Sequence, residues 1–417
     1  MEKYKGIAKD ILKSVRTDEN NPNWEKIIAR DIELYKRENE VRTEFERDFT
    51  RILFSNAYKR LKHKTQVIFS PKNDHIFTRI EHVNHVESIS YTIGKELGLN
   101  TELIKAIAVA HDIGHGPFGH KGERILNSIS KKDIGKSFWH EKNGVFLADY
   151  FELLEDPKGN KRNLSLTYGV RDGIISHCGE VDQNSIKPRK EYIDLEKDYN
   201  HVAEYEPFTW EGCVVKISDK ISYIGRDIED ALDLNILSDK ELDELKEILN
   251  INDEGYDVLN NTNIIGDLIG DLLNNSSIEK GLSFSKEGLN LMNNIKAFNY
   301  KYIYCSPKVI QSDDYFNLVI NKIYDTLKSL YNEEEKRVQI KEKERLYGNI
   351  IKEFLDWLIQ YTDSDIDFET KKDKSQFINK KIFDLTKKED YYEAIIIYIS
   401  GMTDNKAIET FNSIISF

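Results

Sequence analysis

Three of the chain's ten histidines fall in one short run, Ala110-His111-Asp112-Ile113-Gly114-His115-Gly116-Pro117-Phe118-Gly119-His120, and Gly122-Glu123 follows directly. Imidazole and carboxylate donors in such a cluster suit a first-row divalent ion and leave positions open for water and phosphate. Neighbouring residues on a helix diverge by roughly 100°, so His111 and Asp112 can grip one ion only near a helix end or in a cleft. Gly114 supplies the break. Two side chains do not close a coordination sphere. His82, in Arg79-Ile80-Glu81-His82, and Asp219, in Ile217-Ser218-Asp219-Lys220-Ile221-Ser222-Tyr223, are the candidates to complete it. His120 and Glu123 are three residues apart and share a face if the segment is helical. A carboxylate there can orient the imidazole, which then activates water or protonates a leaving oxygen. The plainer alternative for each residue is a helix-packing hydrogen bond or a surface ion pair.

Helices are the elements that must hold these groups. Only 7 prolines and 22 glycines interrupt 417 residues, and apolar residues recur at helical rather than alternating spacing, so an all-α chain is expected. Val83, Val86, Ile89, Ile93 and Leu97 make one stripe on a helix over 82–97. Asn100 or Thr101 caps the next helix, which carries Leu103, Ile104, Ile107 and Ala108 inward and ends near Gly114. His115 faces the same side as His111 if that helix persists. Tyr223 and Asp227 lie four and eight residues beyond Asp219, on its face.

The chain divides by composition into a charged helical lead-in (1–40), a His-, Arg- and Gly-rich core (41–235) and a histidine-free C-terminal helical region (236–417) that packs on the core or makes subunit contacts. Ser238-Asp239-Lys240-Glu241 matches a capping box. Glu333–Arg345 reads as a solvated helix face. Asp363-Ser364-Asp365-Ile366-Asp367 mimics a calcium loop, but Phe368 and Lys374 stand where glycine and glutamate are needed, which leaves a polar loop.

A formal charge of −13 excludes a global basic field for nucleic acid, so an anionic substrate must be gathered by a local Lys/Arg cluster. Cys178, Cys213 and Cys305 are odd in number and far apart, which argues against a disulfide framework and for a reducing compartment. The charged N-terminus and the short apolar run near Ala394–Ser400 suggest neither signal nor membrane span, so the cytoplasm is expected. His177 and His201 read as satisfied core or surface histidines, while His63, His75 and His85 stay ambiguous.

Taken with Arg42-Thr43-Glu44-Phe45-Glu46-Arg47-Asp48, Arg60-Leu61, Lys64-Thr65-Gln66-Val67, Asn73-Asp74-His75, Thr78-Arg79 and Asp227-Ile228-Glu229-Asp230-Ala231, the chain resembles the HD superfamily. The closest likeness is to its dGTPase-like deoxynucleoside triphosphate triphosphohydrolases, over roughly 40–235 and more weakly to about 330. The resemblance implies an HD-type helical fold and hydrolysis of dGTP or dNTPs generally to deoxynucleoside and triphosphate, by water attack at the α-phosphate. It implies one divalent ion (Mn, Fe, Mg, Ni or Zn) on His82, His111, Asp112 and Asp219, and catalytic roles for His120, Glu123, His115 and His140. Arg79, Lys220 and Arg60 would meet the triphosphate. Tyr223 would lie against the deoxyribose, Asp227 and Gln66 would bond its 3′-hydroxyl, and Val67 would crowd the 2′ position. A homo-oligomer, an allosteric nucleotide and single-stranded nucleic acid are the partners it suggests; a membrane is not.

Two departures bear on base preference and activation: Gly116-Pro117 stands where bacterial members often have two prolines, and Lys220 where they often have a second acid. The competing readings are another HD phosphohydrolase, such as a nucleotidase or phosphodiesterase, and a nucleotide or single-stranded nucleic-acid binding module without turnover.

Overall fold

Thr78 and Glu81 set the start of the helix that carries His82. Glu81 Oε2 accepts from the Thr78 N–H at 2.8 Å and from its hydroxyl at 2.9 Å. The helix runs Arg79–Leu97, a turn earlier than the apolar stripe alone indicates, and ends at Gly98 with φ +80°. All five stripe residues are buried. The next cap is Asn100, whose Oδ1 accepts from the Glu102 and Leu103 N–H groups at 3.0 and 3.2 Å.

The computed structural model describes residues 9–35, 38–67, 77–179, 185–249, 261–339, 344–364, 366 and 374–416. The Asn73-Asp74-His75 block, and Asp365, Asp367 and Phe368 of the polar loop, lie outside the described residues. The architecture is all-α. Its described strands form three two-stranded antiparallel pairs, with Leu153 opposite Asn163, Ser185 opposite Ser283 and Tyr331 opposite Val338. No described helix is long and apolar enough to cross a membrane.

The helices Arg79–Leu97, Thr101–Ala110, Tyr168–Ser176 and Trp210–Asp233 pack on one another. Their inner faces merge with residues as far as Val309 in one apolar cluster. A second cluster joins Phe118, Leu126 and Phe151 to the helices Asp313–Lys328, Lys388–Ser400 and Asp404–Ile415. The C-terminal helices therefore press on the Gly119–Ile134 helix that carries His120 and Glu123.

The mixed-charge run from Glu333 is not a helix at its start. Asn332 Oδ1 takes the Glu334 and Glu335 N–H groups at 2.9 and 3.1 Å. That local turn removes donors a helix would use. The segment closes a hairpin between Tyr331–Asn332 and Arg337–Val338, and a helix begins only at Glu344.

One C-terminal carboxylate reaches the motif loops. Buried Asp404 accepts from the Thr65 N–H at 2.8 Å, the Thr65 hydroxyl at 2.6 Å and the Phe118 N–H at 2.8 Å. Nearby, Lys64 Nζ donates to the carbonyls of His115 and Ser400. Asp404→Ala removes three hydrogen bonds and strands donors, so we expect a loss of about 2–4 kcal/mol in urea unfolding. A change below about 0.5 kcal/mol would show that the clamp contributes nothing.

Candidate active site

His111 sits at the C-cap of the Thr101–Ala110 helix, where the chain turns sharply. Gly114 permits close packing beside that turn: a Cβ there would fall 2.0 Å from the His140 carbonyl oxygen and 2.3 Å from the Gly144 nitrogen. His111 Nδ1 donates to the Ala108 carbonyl at 2.7 Å, which fixes the tautomer and leaves Nε2 with a lone pair. That Nε2 is buried without a hydrogen-bond partner.

Around it stand the other three expected ligands. Asp112 Oδ1 is 3.7 Å away and Asp219 Oδ1 3.9 Å. His82 Nε2 lies 3.0 Å from Asp219 Oδ1 and 3.8 Å from Asp112 Oδ2. Three helices thus bring two imidazoles and two carboxylates to one point. An orphaned buried nitrogen beside two carboxylates fits a divalent ion. Burial opposes the Asp219 charge, but His82 outweighs it and holds the carboxyl at about 2. Burial likewise opposes Asp112, which His115, Arg79 and His111 hold well below the usual range.

His177, expected to be a satisfied core or surface histidine, also stands beside this centre. It is buried, its Nδ1 bonds the Ile174 carbonyl at 2.7 Å, and its Nε2 stands 3.9 Å from Asp112 Oδ1. Burial, then His111 and His140, push its pKa down to about 3, so it is neutral. The available signal was positional: like His111, it closes a helix shortly before a glycine. His201 and His63 are exposed, and His85 is half-buried.

A second group centres on Glu123. Its Oε2 lies 3.0 Å from His140 Nδ1, 3.3 Å from His120 Nδ1 and 4.0 Å from His115 Nδ1. His115 and His140 stack, ring centroids 3.6 Å apart. His115 Nε2 reaches Asp112 Oδ1 at 3.1 Å and ties the two groups together. Burial, Arg79 and His140 push His115 well below its ordinary pKa, so it is neutral. Burial opposes a proton on His140, yet Glu141 and Glu123 raise its pKa to about 9. Burial also opposes the Glu123 charge, and His140, His120 and His115 hold it well below the carboxylate range.

Both groups open into a cavity of about 1190 Å³. Arg79, Lys220, Tyr223, Asp227, Gln66 and Val67 line it. Arg79 donates to Asp112 Oδ2 at 2.6 Å and to the Gln66 carbonyl at 3.3 Å, and the Gln66 side-chain oxygen is buried without a partner. Arg60 is not among the lining residues. It pairs with Glu152 at 2.8 Å beside a separate cavity of about 660 Å³; Glu152 also takes the Asn56 N–H at 2.7 Å, at the start of the short helix Asn56–Arg60 that carries Arg60.

Tyr304, unforeseen from sequence, donates its hydroxyl to Asp227. It comes from the π-helical turn Tyr300–Tyr304 in the histidine-free half. Burial pushes Asp227 up from 3.8 to about 6, so the folded chain holds that proton more tightly than the unfolded chain. The group favours the fold below pH 3.8, and that contribution is lost as pH rises through about 6. Asp227→Asn in metal-free protein should therefore gain up to about 3 kcal/mol at pH 7.5 and nothing near pH 3.5. Equal unfolding midpoints for the two proteins at pH 7.5 would refute this.

Residues 79–224 match the HD domain family. The chain is similar to a deoxyguanosinetriphosphate triphosphohydrolase-like protein of Caldanaerobacter subterraneus subsp. tengcongensis, 33% identical over 75% of this chain and 81% of that protein. Like-named proteins of Clostridium tetani (31%, covering 76% and 82%) and Rickettsia felis (29%, covering 92% and 94%) are also similar.

Proposed function

From its membership of the deoxyguanosinetriphosphate triphosphohydrolase-like family of HD-domain phosphohydrolases, we propose that this chain hydrolyses deoxynucleoside triphosphates to deoxynucleoside and triphosphate. The observation that carries the reading is one helix. Asp219, Lys220, Tyr223 and Asp227 all come from Trp210–Asp233 and line the cavity that holds His82, Asp112 and His120. On this reading the helix supplies a metal ligand, a cation for phosphate beside it and, at helical spacing from Asp219, a strip for sugar.

His82, His111, Asp112 and Asp219 would hold one divalent ion, which when bound supplies Lewis acidity at the α-phosphate. His120 reaches the cavity with Nδ1 turned to Glu123, which leaves Nε2 to take a proton from the attacking water. His140 donates to Glu123 at 3.0 Å and keeps that carboxylate in place. His115 does the same for Asp112. Lys220 and Arg79 supply positive charge for the phosphates. Asp227, steadied by Tyr304, and the Gln66 oxygen offer acceptors for a 3′-hydroxyl, and Val67 crowds the neighbouring 2′ position, which disfavours ribose.

Product analysis tests the reading: each dNTP with Mn²⁺ or Mg²⁺, alone and in mixtures. Intact triphosphate with free deoxynucleoside is expected. Release of pyrophosphate or orthophosphate would replace the proposal with another HD phosphohydrolase activity, and binding without turnover by metal-loaded protein would point to a binding module.

A further inference from the structure

The three imidazoles around Glu123 share an orientation that proton handling alone does not require. His115, His120 and His140 all turn the same ring nitrogen, Nδ1, toward one oxygen, Glu123 Oε2, at 4.0, 3.3 and 3.0 Å. One nitrogen from each ring and one Glu123 oxygen lie within 4.8 Å of one another, close enough to enclose a single ion.

Two of the three outer nitrogens have partners. His115 Nε2 faces Asp112 Oδ1 at 3.1 Å. His140 Nε2 faces Cys178 Sγ at 3.6 Å. On His115, an outer N–H given to Asp112 leaves a lone pair on the inner nitrogen, the usual arrangement of a metal-bound histidine; on His140 the ion would displace the proton that Nδ1 gives to Glu123. His115 makes the case most sharply: its Nδ1 is buried, has no hydrogen-bond partner and points at a carboxylate oxygen. A lone pair facing an anion in a dry site is costly and is relieved by a cation between them.

We propose that His115, His120, His140 and Glu123 form a second cation site beside the His82–His111–Asp112–Asp219 site, suited to a nitrogen-preferring divalent transition ion such as Zn²⁺ or Co²⁺. Three imidazoles and one carboxylate disfavour Mg²⁺ and Ca²⁺, which take oxygen ligands. His120, 61% exposed, gives the ion a route in from the cavity.

Occupancy has a functional consequence, which alone rests on the proposed hydrolysis. The ion would take the nitrogens and carboxylate through which His120 is oriented, so a filled second site and a working proton relay exclude each other. The second ion is therefore an inhibitor.

The test counts metal without substrate. Metal-stripped full-length protein is titrated with Co²⁺, desalted and assayed for bound metal. Two equivalents are expected for the unmodified chain and one for Glu123→Gln, and His120→Ala should weaken the second equivalent at least tenfold. The His120 variant, altered at an exposed position, decides the matter if Glu123→Gln does not fold. One equivalent in the unmodified chain, two retained in Glu123→Gln, or loss of both on Asp219→Asn would each overturn the site. Turnover that falls only as the second equivalent fills supports the inhibitor role. Full turnover with both ions bound would leave the site standing and remove the relay.

Discussion

Replacing Asp112 with alanine should remove metal occupancy and turnover in the same step. Its two oxygens face several groups at the centre: Oδ2 takes Arg79 at 2.6 Å, and Oδ1 faces His115 at 3.1 Å and His111 at 3.7 Å. A bound ion contributes several kcal/mol of transition-state stabilisation. With 1.36 kcal/mol per factor of ten, the rate should fall at least about a thousandfold. The variant also strands Arg79, which is 1% exposed. A buried charge without its partner costs about 3–5 kcal/mol, so the thermal midpoint should drop as well. His111→Ala separates the two effects, since it removes a ligand whose Nε2 has no other partner and spares the Arg79 pair. It should lose the ion and the activity with a smaller loss of stability. Full turnover in either variant, measured alongside bound metal, would sink the assignment.

Glu123→Ala should behave differently. It touches no ligand of the first ion, so that ion is retained while the rate falls by about 10²–10⁴, the usual worth of a positioned acid or base. The loss should appear in kcat rather than KM, because Glu123 acts on His120 and not on the substrate. His140 loses one of the carboxylates that raise its pKa, so its titration, followed by NMR, should move down. Loss of the first ion, or an unchanged kcat, would refute the role.

The parts of the site legible in sequence were those that local geometry fixes. His111, Asp112 and Glu123 sit in one run, and Tyr223 and Asp227 follow Asp219 at helical period, so spacing alone grouped each set, while the resemblance supplied the roles. His82 and Asp219 were named only as candidates to complete the coordination sphere, and His140 needed the resemblance, since nothing local ties it to that run. What escaped depends on packing between distant segments. His177 is a ligand-distance neighbour only because two helices end at the same place. Tyr304 enters the cavity from a π-helical turn that has no motif. Arg60 carried the right charge, but Glu152, from the segment after the His140–Phe146 helix, holds it at another cavity. The Glu333 hairpin was misread because a charge run says nothing about the asparagine before it. Fold class, by contrast, was written in apolar spacing throughout.

The Asp404 clamp also sets an order in time. A ribosome releases His82, His111, Asp112, Asp219 and the Glu123 group long before it reaches Ser400 and Asp404. Until then Thr65 and Phe118, which flank the cavity, lack the carboxylate that holds them, and Lys64 lacks one of its two carbonyls. A half-made chain can therefore assemble donors for a metal but not the finished catalytic loops. Nascent and prematurely terminated products would be poor at consuming nucleotides, and competence would arrive only when the Asp404–Ile415 helix docks.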